Sequence, residues 1–333
     1  MLNSTMAITG IMMITWIVSP ALSVAQSPKE GNSSLQVAQK TAADTDKAES
    51  SPSKSKPRVI HAGPFEYENG LILTRVVIND AGTVLSLIDT HSARSAIHQG
   101  LASKLEIQTS GQAPIRVAGR DVKVPLFPVD SISLFGATVY NLEMVGRNTK
   151  HQMIQKGSEI GLILGMDFLK DLTLRVDFER RQLEVLDAPP PCASWGIMKL
   201  IDDVPHFDVV LDGDFKTTLR LDTTVSMATN DGVYLNLTDA DQQNLLRVQP
   251  GIEPSKMLGA VGPQGRIEIP VYQFGFLRMG SLNLDSPYGS IYPSGSYGPV
   301  GRETGFFTCN LLEKFRSVVM DFRGKRLGFD CQP

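Results

Sequence analysis

Cysteine is scarce in this chain: Cys192, Cys309 and Cys331 are the three among 333 residues. So few thiols exclude a multi-cysteine metal cluster and a disulfide-built scaffold, and one stays unpaired whatever the pairing. They suit an oxidising compartment. Cys309 and Cys331 are placed to close a loop, Cys192 lies in a connecting stretch, and spacing alone leaves the pairing open. An excess of one charge is also missing. Lys and Arg number 32 against 35 Asp and Glu, a net charge of −3, which is no footprint for nucleic acid. The five histidines, His61, His91, His98, His151 and His206, are scattered, and no pair stands at zinc-helix spacing with an acid. No metal or other cofactor is therefore expected. Neither a Gly-x-Ser-x-Gly elbow nor a phosphate-binding glycine loop is found, which removes serine hydrolases and nucleotide enzymes from consideration.

Long apolar runs are lacking too. The N-terminal run Ala7–Val18 spans 12 residues, short of the ~20 needed to cross a bilayer. Pro20 breaks it, and Ser23-Val24-Ala25 offers small residues for cleavage before Gln26. Residues 1–25 therefore read as a signal peptide, although Met1–Thr5 carries no Lys or Arg. The expected location is exported (periplasmic, cell-surface or secreted), with no stable membrane insertion after signal cleavage. Residues 26–57 are rich in Ser, Lys, Ala, Asp, Glu and Pro, too poor in large apolar side chains to offset their ordering entropy, and read as a disordered tether.

What is present is a repeat. The stretch Leu85-Ser86-Leu87-Ile88-Asp89-Thr90-His91-Ser92 is echoed 133 positions later by Arg220-Leu221-Asp222-Thr223-Thr224-Val225-Ser226. Val76–Thr90 lies on Val209–Thr223 without a gap, with four of 15 positions identical. Asp177-Phe178-Glu179-Arg180-Arg181-Gln182-Leu183 then matches Asp321-Phe322-Arg323-Gly324-Lys325-Arg326-Leu327 as Asp-Phe-x-x-basic-x-Leu. Apolar runs precede each: Leu162-Ile163-Leu164-Gly165-Met166-Asp167-Phe168-Leu169 and Phe306-Phe307-Thr308-Cys309-Asn310-Leu311-Leu312. Landmarks recurring in one order over so long a period indicate a duplicated domain rather than a solenoid.

With these residues in place the chain resembles the pepsin/retropepsin-like aspartic proteases over roughly Val59–Phe329. In that family an apolar strand carries Asp-Thr-Gly, a later apolar strand ending in Gly crosses behind it, and two lobes bring two aspartates together. The resemblance implies an all-β, bilobal acid-protease-like β-barrel fold with two pseudo-symmetric retropepsin-like lobes in one chain. Lobe one is residues 58–190 and lobe two 191–333, joined near the Pro189-Pro190-Pro191 run, which favours an extended connection. Two departures stand out. The motif glycine is His91 in the first lobe and Thr224 in the second, and counting back from the Asp-Phe landmarks puts the later glycine of lobe two at Cys309.

Between these points the pattern predicts hairpins turning at Asn79–Gly82 and at Asp212-Gly213-Asp214, and strands turning at Gly136. Helical spacing is expected over Ala96–Leu105, and again over Thr238–Leu246 with Asp239 helping to start it. Gly119–Leu126 and Gly265–Pro270 stand where the family carries its flap, and an ordinary hairpin is the plain alternative. The Gly-, Ser-, Pro- and Tyr-rich stretch Asp285–Arg302 has no partner in lobe one and reads as lobe-specific decoration.

By this resemblance Asp89 and Asp222 are the catalytic pair. Two carboxylates facing across a two-fold axis share one proton; the ionised one takes a proton from water while the other donates to the scissile carbonyl. The pair titrates as a unit, and which member is the base is open. Thr90 and Thr223 support the dyad by bonding to the opposite loop. Aspartic endopeptidase action on a peptide or protein substrate is the implied activity, by a monomer with intramolecular lobe pairing. Alternatives are a dimer of two chains and a catalytically inactive pseudoprotease acting as a peptide- or protein-binding module, since His91 and Thr224 add a Cβ where glycine tolerates close approach.

Overall fold

The structure is a computed structural model that describes residues 57–117, 120–147, 159–225, 233–262, 265–291 and 304–332. The expected signal peptide (residues 1–25) and all but the last residue of the expected tether (residues 26–56) lie outside the described residues, as do residues 118–119 and 263–264 of the two flap-like stretches and 292–303 of the Gly/Ser/Pro-rich stretch. The described chain is all-β, with four helices of four to ten residues. No described helix is long and apolar enough to cross a membrane.

The Asp-Phe-x-x-basic-x-Leu motif builds the centre. In the first half, β9 (Thr173–Asp177) turns into β10 (Gln182–Leu186); in the second, β21 (Ser317–Asp321) turns into β22 (Arg326–Cys331). The Asp ends its strand and its carboxylate caps the turn, accepting Arg180 N at 2.8 Å from Asp177 and Gly324 N at 3.0 Å from Asp321. The Phe is buried at both turns, the basic residue takes positive φ (Arg181 55°, Lys325 51°), and the Leu is buried. These hairpins lie side by side through an antiparallel β9–β21 pairing, Ser317 opposite Asp177 and Asp321 opposite Thr173. β1 (Val59–Glu68) extends this sheet beside β10, and β11 (Cys192–Ile201) extends it beside β22. Every residue of β9 and β21 is buried.

Inside that sheet sits an Arg175–Glu184 ion pair, 5% and 4% exposed, and Arg175 also donates to the Gln332 carbonyl at 2.8 Å. Cys192 and Cys331 are opposed on β11 and β22 and form a disulfide spanning 139 positions. That settles the pairing left open by sequence: Cys309, the neighbour of Cys331 within the second half, is the free thiol and is buried. The strand register, rather than sequence proximity, brings Cys192 to Cys331.

The predicted hairpins are present. In the first half β2 (Leu71–Ile78) pairs with β3 (Thr83–Ile88), and in the second β12 (Val204–Leu211) pairs with β13 (Phe215–Asp222). Val77 opposes Thr83 and Val210 opposes Lys216, the equivalent pair in the gapless alignment. The turn at Phe135-Gly136 joins β6 (Arg120–Leu134) to β7 (Ala137–Arg147), Gly136 adopting a φ of 110° that suits its missing Cβ. Both flap-like stretches are hairpins: β5 (Gly111–Val117) with β6, and β15 (Lys256–Gly262) with β16 (Gly265–Gln273).

Three expectations change. Ala96–His98 is a strand, β4, and the helix α1 covers only Gln99–Lys104; Ala96 and Ile97 are buried between β7 and β8 (Leu162–Leu164), where ladder pairing overrides helical spacing. In α3 (Asp239–Val248) the cap is Thr238, whose hydroxyl accepts Asp241 N while the Asp241 carboxylate accepts Thr238 N, a capping box with Asp239 in the first turn. The Gly-rich stretch contains β19 (Tyr288–Ile291), parallel to β14 (Val233–Leu237) and antiparallel to β16. β7 has the same two relations, to β4 and β6. So the described part of that stretch has a counterpart in the first half after all; the continuous β7 is matched by the broken β18 (Leu282–Asp285) and β19, and the break hid it from pattern reading.

Candidate active site

Each Asp-Thr pair sits where a hairpin strand ends against a second, parallel strand. β3 runs parallel to β8, Ile88 beside Leu164, and β13 runs parallel to β20 (Gly305–Thr308), Asp222 beside Thr308. The short helices α2 (Met166–Leu169) and α4 (Cys309–Leu312) follow directly. Gly165 is required in the first half: a Cβ there would lie 2.5 Å from the Arg94 carbonyl carbon and 2.8 Å from Ser92 O. That close approach lets Met166 N and Asp167 N donate to Ser92 O (2.8 Å) and Ala93 O (3.1 Å), pinning the loop after Asp89. In the second half the residue so placed is Thr308, not Cys309. The connection from α4 to β21 is one residue longer than that from α2 to β9, so counting back from the Asp-Phe landmark stops one residue short.

The threonines lock the two loops together. Thr90 Oγ1 donates to Leu221 O at 2.9 Å and Thr223 Oγ1 donates to Ile88 O at 2.7 Å, each reaching the strand of the other half. Thr90 N–H also donates to Thr223 Oγ1 at 3.1 Å. All four predicted residues are buried: Asp89, Thr90 and Thr223 at 0% exposure and Asp222 at 2%.

The carboxylates are held by local donors. Asp89 Oδ1 accepts His91 N (2.8 Å) and Ser92 N (3.0 Å), and its Oδ2 accepts Ser92 Oγ (2.7 Å). Asp222 Oδ1 accepts both Thr224 N (3.0 Å) and Thr224 Oγ1 (2.7 Å). Thr224 thus supplies in the second half the hydroxyl that Ser92 supplies in the first, a role beyond the loss of glycine.

Basic side chains surround the pair. His91, whose main chain holds Asp89, places its imidazole Nδ1 3.2 Å from Asp222 Oδ2, so one residue touches both carboxylates. Arg220 Nε is 3.9 Å from Asp222 Oδ2; its guanidinium lies over the Phe306 ring at 5.0 Å and donates to Thr304 O at 3.0 Å. Arg147, at the end of β7, feels Asp89: burial lowers its pKa, and that carboxylate opposes the shift. Burial pushes Asp222 up, but His91, Arg220 and the Thr224 donors outweigh it and hold the carboxyl below its ordinary range. Burial also lowers His91, against the pull of Asp222. The buried Cys309 thiol is pushed up by burial and by nearby Asp222 and Glu313, which keeps it protonated.

Sequence reasoning missed several of these groups. Arg220 was detectable: in a strand, residues two apart share a face, so it stands on the side of Asp222. Ser92 stood within the quoted motif. Asp167, half-buried and accepting Ser95 N at 2.8 Å and Ser95 Oγ, has its pKa raised by desolvation and braces the same loop. Arg147 had no local signal, since only the β4–β7 pairing brings it near. Among the described residues no group of three His, Cys, Asp or Glu is placed to hold a metal.

Residues 74–168 match the family model described as aspartyl protease. This segment carries Asp89, Thr90 and the α2 turn, and it lies wholly in the first half. A retropepsin-like aspartic protease from Rickettsia conorii is similar in structure at 17% identity, covering 39% of this chain and 95% of that one, with a TM-score of 0.29. No curated protein matches the chain. The segment that matches the family model carries the apolar strand β3, the Asp89-Thr90 loop and the Gly165 turn, within an all-β architecture.

Proposed function

We propose that the protein is an aspartic endopeptidase whose dyad is Asp89 and Asp222, with Thr90 and Thr223 as its supports. The observation that carries this reading is the reciprocal bonding of the two threonine hydroxyls to the opposite strand beside each aspartate. Such a brace has no use unless two Asp-Thr loops must be held in fixed relation. We read residues 58–190 and 191–333 as two lobes of one duplicated unit; the shared strand order and the equivalent hairpin registers support this. The β9–β21 pairing within one chain favours a monomer. The Cys192–Cys331 bridge favours export to an oxidising compartment. An extended peptide would lie between the two flap-like hairpins and pair its main chain in β fashion.

Hydrolysis would proceed without a covalent intermediate: one carboxylate removes a proton from water as the water oxygen attacks the carbonyl carbon, and a proton is supplied to the carbonyl oxygen. One observation favours the second reading, a silent peptide-binding module. The carboxylates are closed to solvent with His91 against both, where a substrate carbonyl and water would need room. A mixed peptide library incubated with the purified protein from about pH 3 to 7 tests the choice. Cleavage that disappears in both Asp89→Asn and Asp222→Asn is the expected result. A folded monomer that cleaves nothing at any pH would instead leave the binding module.

A further inference from the structure

A symmetric pair of aspartates holds one proton because two adjacent negative charges repel. Here a basic nitrogen stands beside one of the carboxylates. His91 Nδ1 is 3.2 Å from Asp222 Oδ2, while the same residue's N–H is 2.8 Å from Asp89 Oδ1. Two ionised aspartates with one imidazolium carry the same charge, −1, as two aspartates sharing one proton. The proton count is unchanged; only its location differs.

We propose that the proton of this dyad resides on His91, as an Asp222 carboxylate–His91 imidazolium pair, rather than between the two aspartates. The groups facing His91 decide where the proton prefers to lie. From β3 and its loop comes Asp89, held by three donors; from β13 come Asp222 and Arg220; from β7 comes Arg147. From β12, His206 bonds to Val204 O and Thr304 Oγ1 and adds an unfavourable charge to His91 when protonated. Arg220 stabilises the Asp222 carboxylate as an anion, while Arg220 and Arg147 both oppose charge on His91, so the contact between His91 Nδ1 and Asp222 is what draws the proton to the imidazole. The depressed pKa of Asp222 agrees with this, and burial keeps His91 below an ordinary imidazole.

This inference rests on the endopeptidase reading only for its catalytic consequence. Water attacks the carbonyl carbon and gives its proton to Asp89. His91 Nδ1 gives its proton to Asp222, which passes one on to the carbonyl oxygen and so ends ionised as it began, leaving His91 neutral. When the C–N bond breaks, Asp89 returns its proton to the leaving amine and the hydroxyl proton goes back through Asp222 to His91. His91 does not touch substrate; it is a positioning residue that acts through Asp222. The alkaline limb of activity is then set by the His91 imidazole and not by a carboxyl proton shared between the aspartates.

Two measurements separate this from the activity itself. The first is an NMR titration of histidine Cε1–H in the full chain, with His91 identified by its absence in His91→Gln. His91 protonating in wild type, and at lower pH in Asp222→Asn, is expected; a His91 that stays neutral to acid pH, or titrates identically in Asp222→Asn, overturns the proposal. The second is the pH profile of cleavage. His91→Gly is expected to move the alkaline limb to more acid pH, losing activity ~10-fold for each unit above the new limb; an unmoved limb overturns the proposal. His91→Gln, which keeps a donor at Asp222 without a titrating proton, serves if the glycine variant does not fold and is expected to shift the same way. If no peptide is cleaved, the titration still decides the proton's place while the endopeptidase reading falls.

Discussion

Replacing Thr223 with valine removes a hydroxyl while keeping the shape of the side chain, and it should loosen the brace between the two Asp-Thr loops more than Thr90→Val does. Thr223 Oγ1 makes two contacts with the other half's main chain: it donates to Ile88 O and accepts Thr90 N–H. Thr90 Oγ1 donates to Leu221 O, with Thr223 Oγ1 3.4 Å away. A carbonyl has a second lone pair and parallel-strand neighbours, but the Thr90 N–H has one donation to make, in a site at 0% exposure. Leaving a buried donor unsatisfied costs about 1–3 kcal/mol, on top of the ~1 kcal/mol net value of an ordinary hydrogen bond. Thr223→Val should therefore destabilise by about 2–4 kcal/mol and Thr90→Val by about 1 kcal/mol. Because the hydroxyls are neighbours, the double variant should cost less than the sum, with a coupling on the order of 0.5–3 kcal/mol. Urea unfolding of the four proteins, followed by tryptophan fluorescence and circular dichroism, measures this. Additive changes below ~0.5 kcal/mol each, or a larger loss from Thr90→Val, would refute the reasoning.

Cys192→Ser should cost about 5 kcal/mol on the loop-entropy model, because the bridge spans 139 positions; an unfolding midpoint indifferent to reductant would contradict that, and peptide mapping should find Cys309 unmodified by alkylating reagent until the protein unfolds. Breaking the buried Arg175–Glu184 pair by Arg175→Met should lose about 3–5 kcal/mol, since Glu184 is left charged and buried beside an unbonded Gln332 carbonyl; a change under ~1 kcal/mol in chemical denaturation would count against it. The lowered folded-state pKa of Asp222 gives stability that is present above the unfolded carboxyl value of about 3.9 and is lost as pH falls through the folded value. Asp222→Asn should accordingly flatten the acid limb of the stability–pH curve, and an unchanged limb would show that the His91 and Arg220 contacts contribute nothing there.

The part of the site legible in the sequence is the part encoded locally. An apolar strand followed by Asp-Thr, repeated 133 positions later, singles out Asp89, Thr90, Asp222 and Thr223 as candidates, because strand, turn and capping requirements act over a few residues. The same holds for the hairpin turns at Asn79–Gly82 and Asp212–Asp214, and for the Asp-Phe turns whose Asp and positive-φ basic residue recur. Tertiary structure decided the rest. Arg147 reaches the neighbourhood of Asp89 because β7 lies beside β4, and Cys192 meets Cys331 because β11 lies beside β22. Thr308 rather than Cys309 follows Gly165's path because one extra residue enters a connection after the helix, where length is free to vary. Above all, sequence identified His91 as a missing glycine, whereas the fold set its imidazole nitrogen 3.2 Å from the Asp222 carboxylate of the other half. Charge partners, ladder neighbours and cross-half contacts depend on which distant segments are stacked together, and hydrophobic period and turn chemistry carry no record of that.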